Sequence, residues 1–209
     1  MSGIVLELQR EALSKDANIE SLLRKAYVIA KKLKLKEFED WIQFEQNGYG
    51  SREVPEYRYV QGQIKARNPY YGWIPVVLSS EIEKVISNVP AKEAISGLID
   101  LYESDNEFLA FNMNSDCNQT LSELVDFDTV FCVQFGKNQI YLIISTVQNK
   151  ILDWALLLEE NGIIGEGLSF TEEEIRKAEQ TPIINNYTNN FYASVEDIDL
   201  QQGNSVVKD

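Results

Sequence analysis

Histidine is absent from this 209-residue chain. That excludes Ser-His and Cys-His activation of a nucleophile and any His-ligated zinc site. Cysteine is nearly absent: Cys117 and Cys132 stand alone. Two thiols without histidine cannot complete a structural zinc site, and the pair reads as reduced, buried thiols of a cytosolic protein. Long apolar runs are missing too. The longest, residues 140–158, is broken by Ser145, Gln148, Asn149, Lys150 and Asp153, so it is no membrane span. Glu7 and Arg10 leave no room for the apolar core of a signal peptide, and Ser2 stands where myristoylation needs glycine. Localisation in the cytoplasm is the expectation.

Positive charge is scarce in the second half. The net charge is −14, yet residues 1–100 carry equal numbers of acids and bases, so the whole excess of acid lies in residues 101–209. An acidic surface repels phosphate backbones, which disfavours nonspecific nucleic-acid binding by the chain as a whole. One stretch runs against this trend. Residues 57–80 contain no acid and hold Arg58, Lys65 and Arg67 among Tyr57, Tyr59, Tyr70, Tyr71 and Trp73. Cations interleaved with aromatic rings can hold phosphates and stack bases. Arg58, Lys65, Arg67, Tyr57, Tyr59 and Trp73 are therefore the ligand-binding candidates. The bland alternative is a hairpin packed on helices, its cations pairing with the acidic half.

Other constellations carry less. Lys31, Lys32, Lys34 and Lys36 read as a solvated helix face. The carboxylate pairs Glu7/Glu11 and Glu37/Asp40 align at helical spacing but lack partner ligands, so neither a metal nor another cofactor is expected. Residues 162–167 share only their glycine content with a phosphate loop. They lack its Lys-Ser/Thr and follow a helix rather than a strand.

Periodicity outlines an α+β fold. Residues 4–15 suit a short amphipathic helix. A second follows an Asn18 cap, with Leu22, Ala26, Ile29 and Leu33 on one face, and a third spans 37–46. Residues 57–67 alternate as a strand, and 73–78 suit a strand or the lead-in to a helix capped by Ser79 or Ser80. Pro90 suits the first turn of a helix running to Tyr102. Apolar runs at 108–113 and 129–135 suit strands flanking a helix at 116–125. The longest helix is expected over 137–160, and Thr171 followed by three glutamates marks another helix start. These elements give an N-terminal helical layer packed on a small β-sheet, a long central helix and a C-terminal β-strand. The domain is expected over 1–180. An Asn-rich tail over 181–209 carries alternating Phe191, Ala193 and Val195, then Ile198 and Leu200, the oligomerisation candidates.

Two helices end alike. Asp40-Trp41 leads through Glu45 to Asn47-Gly48, and Asp153-Trp154 leads through Glu159-Glu160 to Asn161-Gly162. The flanks differ and the spacing is off by one, so common helix-stop chemistry explains the likeness better than duplication. Read in order with residues 4–13, Pro55-Glu56-Tyr57-Arg58 and Gly165-Glu166-Gly167-Leu168-Ser169-Phe170, these pieces resemble the AbiTii family over nearly the whole chain. The resemblance implies a bacterial, cytoplasmic protein of antiphage defence by abortive infection, and it supplies no catalytic residues to carry over. The tail from Asn189-Asn190 to Asn204-Ser205 is similar to segments that follow sensor or adaptor domains in other defence proteins, where an effector comes next. The expected function is a non-enzymatic module that self-associates or binds a partner protein. The alternative is a toxin enzyme or sensor acting on nucleic acid or nucleotide through residues 57–73.

Overall fold

The computed structural model describes residues 3–185 and 187–191. Three helices open the chain: α1 (Ile4–Ala12), α2 (Ile19–Lys32) and α3 (Lys36–Asn47). Asn18 caps α2 by accepting from the Ser21 N–H at 2.8 Å. A 3-10 turn (Glu56–Arg58) leads into β1 (Tyr59–Gln61), β2 (Gln63–Asn68) and β3 (Gly72–Pro75). Next come α4 (Ser80–Ile86), β4 (Asn88–Pro90), α5 (Ile95–Glu103) and β5 (Phe108–Asn112). α6 (Ser115–Val125), β6 (Phe131–Gly136) and the central α7 (Lys137–Glu160) follow. α8 (Glu172–Gln180), α9 (Pro182–Asn185) and a 3-10 turn (Tyr187–Phe191) close the described chain. Among the described residues no helix is long and apolar enough to cross a membrane.

α7 organises the molecule. Its 24 residues extend about 36 Å at 1.5 Å per residue. Ile140, Ile143, Val147, Ile151, Trp154, Ala155 and Leu158 make one buried stripe. α1, α2 and α5 pack along that stripe. Polar ties fix the register: Gln9 Nε2 donates to the Ala155 carbonyl at 3.0 Å, and Gln148 Nε2 donates to the Ala12 carbonyl at 2.6 Å. The tryptophans of the two Asp-Trp motifs meet here. Phe38 lies between them, its ring centroid 5.0 Å from Trp41 and 4.0 Å from Trp154.

The larger sheet has strand order β3-β2-β6-β5, all antiparallel. Its inner face carries Ile64, Ala66, Phe131 and Val133, which pack with Leu121 of α6. Leu109 and Phe135 continue that face into the main core. A second, two-stranded ribbon pairs β1 with β4.

Three expectations needed correction. The strand read over 57–67 is three pieces: a 3-10 turn, β1 in the ribbon, and β2 in the sheet. The break falls at Gly62, whose N–H donates to the Ser87 carbonyl of the ribbon while Gln63 opens the pairing with β6, so the partner changes although inside–outside alternation runs on. Pro90 ends a strand instead of starting a helix. The Ala91 N–H donates to the Arg58 carbonyl, and the Lys92 carbonyl accepts from the Tyr49 N–H. These long-range bonds hold residues 91–93 open, and α5 starts only at Ile95. The C-terminal strand has its own outcome. Within the tail read over 181–209, the described residues 182–185 and 187–191 are helical, and the rest lies outside the described residues.

Candidate functional site

The candidates in residues 57–73 do not converge on one surface. Tyr57 and Arg58 turn inward, to a carboxylate at the end of α3. Arg58 is 0% exposed and so is Glu45. The Glu45 Oε1 accepts from Tyr49 Oη at 2.7 Å, Tyr57 Oη at 2.6 Å and Arg58 Nε at 3.1 Å. Oε2 takes the Arg58 Nη2 donor. Arg58 Nη1 donates to the carbonyls of Ala91 at 3.0 Å and Glu93 at 2.7 Å. Trp41 Nε1 donates to Tyr57 Oη at 2.9 Å.

Electrostatics agrees with this geometry. Burial, then the Glu45 charge, raises both phenols well above their ordinary range. Burial opposes the Arg58 charge, but Glu45 outweighs it and the guanidinium titrates higher still. The cluster is a clamp that ties α3 to the Glu56–Arg58 turn and to residues 91–93. Arg58 was read as a ligand-binding residue, but its donors are taken up inside the protein and it has no solvent face.

The other candidates face outward. β2 alternates, with Ile64 and Ala66 inside and Lys65 and Arg67 outside. Arg67 pairs across the strands with Trp73, and its Cζ lies 5.7 Å from the Trp73 ring centroid. Trp73 is 36% exposed, and at the hairpin tip Tyr70 is 91% and Tyr71 82% exposed. Asn68 Oδ1 accepts from the N–H groups of Tyr70 and Tyr71 and shapes the turn. Tyr59 is exposed but sits in the β1–β4 ribbon, apart from the sheet. Register adds residues that pattern reading did not single out. Gln63 lies opposite Gln134, and Gln134 opposite Ala110, with Phe108 next along β5 on the same face. Phe108 is exposed, and with Gln63, Lys65 and Gln134 it lines a shallow cleft. None of the residues of β2, β3, β5 and β6 is acidic. That absence was visible in each run. Their juxtaposition was not, because it depends on strand order.

Of the oligomerisation candidates, Phe191 is buried in its own chain. Its ring meets Trp41, Tyr57 and Tyr187, with Lys150 Nζ 3.6 Å from its centroid. It anchors the segment after α9 and leaves no free face for a second copy to reach. Ala193, Val195, Ile198 and Leu200 lie outside the described residues. Both thiols are free, but Cys117 is exposed in the first turn of α6 rather than buried. Cys132 is buried as expected, and burial raises its thiol above the usual range. Among the described residues no group of three or more His, Cys, Asp or Glu is placed to hold a metal ion.

The AbiTii family model matches residues 3–183. Neither the curated proteins nor the solved structures contain a match to the chain.

Proposed function

The chain belongs to the AbiTii family, and from that premise we propose that it works as a non-enzymatic, cytoplasmic binding module of abortive-infection defence. Family membership points to abortive infection. The mode of action is our reading, and one observation supports it most. The sheet ends in two strands, β3 and β5, that have a strand neighbour on one side only among the described residues. Unpaired strand edges accept an added strand, from a second copy or from a partner protein. The alternation of Ala193 with Val195, and of Ile198 with Leu200, suits such a strand.

Light scattering on the full chain and on a chain cut after Phe191 tests this reading. The cut belongs there rather than before α9, because Ile184 and Phe191 are part of the core. The full chain is expected to show a mass above the monomer, and the cut chain a monomer. Equal monomeric masses would refute tail-driven assembly.

A second reading, action on nucleic acid or nucleotide, is favoured by the acid-free face that bears Lys65, Arg67 and Trp73. Metal-dependent cleavage of RNA or DNA that is lost in Arg67→Ala would move the assignment to a toxin enzyme.

A further inference from the structure

Among the described residues, the strands of the β3-β2-β6-β5 sheet bring cations and aromatic rings together on an outer face and carry no carboxylate of their own. Lys65 and Arg67 project from its second strand, Trp73 from its edge, and Phe108 from the opposite edge. Four strands at about 4.8 Å spacing make a platform about 14 Å across, and by register Phe108 lies level with Gln61 and Trp73 level with Arg67, so the two rings stand at diagonal corners about 20 Å apart along the strands, a span that suits a single strand of several nucleotides. We propose that this face binds a single-stranded nucleic acid. Bases stack on Trp73 and Phe108, and phosphates are held by Lys65 and Arg67.

Charge complementarity selects the occupant. The chain carries −14 overall, so a polyanion is repelled from most of the surface and admitted where acids are missing. The rings select single strands, since only unpaired bases expose their faces to an aromatic platform. Tyr70 and Tyr71, at the exposed hairpin tip, extend the stacking surface past Trp73. The amides of Gln63 and Gln134 flank Phe108 in the cleft and can hydrogen-bond base edges. The inference rests on the second reading above, action on nucleic acid through the acid-free face, and does not depend on the tail.

The test is fluorescence anisotropy of a labelled oligothymidylate of about twelve nucleotides, within the usual site sizes, titrated with the full chain. Expected are saturable binding at low salt and weaker binding of a duplex of the same length. A loss of affinity of about tenfold is expected in Trp73→Ala and in Arg67→Glu. Both side chains are exposed, so these variants keep the fold. Lys15→Glu, in the loop between α1 and α2, leaves affinity unchanged. The proposal is overturned if anisotropy stays flat up to about 100 µM protein, the weak end of nonspecific binding. Equal affinity for the duplex, or an equal loss in Lys15→Glu, also overturns it. Flat anisotropy with tail-dependent assembly intact removes this inference alone. Binding by a chain of monomeric mass removes the assembly reading alone.

Discussion

Arg58 and Glu45 decide how the residue scale should be read. Both are fully buried and each satisfies the other, with two tyrosines completing the carboxylate. A buried pair of this kind contributes little over well-packed apolar residues, but breaking it strands a charge. Arg58→Ala is therefore expected to lower unfolding free energy by about 3–5 kcal/mol in denaturant titrations. Replacing both residues with methionine should cost less than the sum of the single changes, because neither charge is left alone. Additive costs would mean the two residues act separately. Glu174 gives a pH-dependent counterpart. Burial opposes its ionisation, but the backbone N–H groups of Thr171, Gly165 and Ile164 outweigh it and hold the carboxyl below its usual 4.5. A lowered folded-state pKa means its stabilisation is complete above the unfolded-state value of 4.5 and is lost as pH falls from there through the folded pKa. The melting-temperature gap between the wild type and Glu174→Gln should thus be widest near neutrality and close in acid. A gap independent of pH would contradict the assignment.

The two Asn-Gly stops look alike in sequence and differ as ends of elements. Gly162 has φ +70°, an ordinary left-handed cap with room around it. Gly48 has φ 86° and ψ 161°, a region nearly closed to other residues, and an added Cβ would lie 2.9 Å from the Lys92 carbonyl. Gly162→Ala is expected to cost about 1–2 kcal/mol. Gly48→Ala should cost more, on the order of 3 kcal/mol, because strain and contact add. Equal costs by thermal melts would contradict this. Helices were the most legible elements. The stripe of α7, the Asn18 cap and the Thr171 capping box are local signals, and each appears where the pattern put it. Residues 57–67 and 90–94 were less legible because distant partners set them. Alternation is a local property, but the switch at Gly62 answers to Ser87, and the open run after Pro90 answers to Arg58 and Tyr49. The candidate site was half legible for the same reason. Charge and aromaticity singled out Lys65, Arg67 and Trp73, whereas the inward turn of Tyr57 and Arg58 depended on Glu45.

At the scale of the whole molecule, the tryptophans of the two Asp-Trp motifs lie in the core. Trp41 and Trp154 flank Phe38, and Phe191 closes over Trp41. Among the described residues, the outer sheet face and the two sheet edges are the surfaces that the proposed function uses. Removing residues 180–209 should therefore lower the melting temperature, because Ile184 and Phe191 leave the core. Cutting after Phe191 should lower it less, by the loss of assembly alone. Equal melting temperatures for the two cuts would show that the α9 segment adds nothing to the fold. Size-exclusion chromatography with light scattering on the full chain and on the chain ending at Phe191 tests tail-driven assembly most directly. An assembly is expected for the full chain and a folded monomer for the shortened one. The same monomeric mass for both would contradict it.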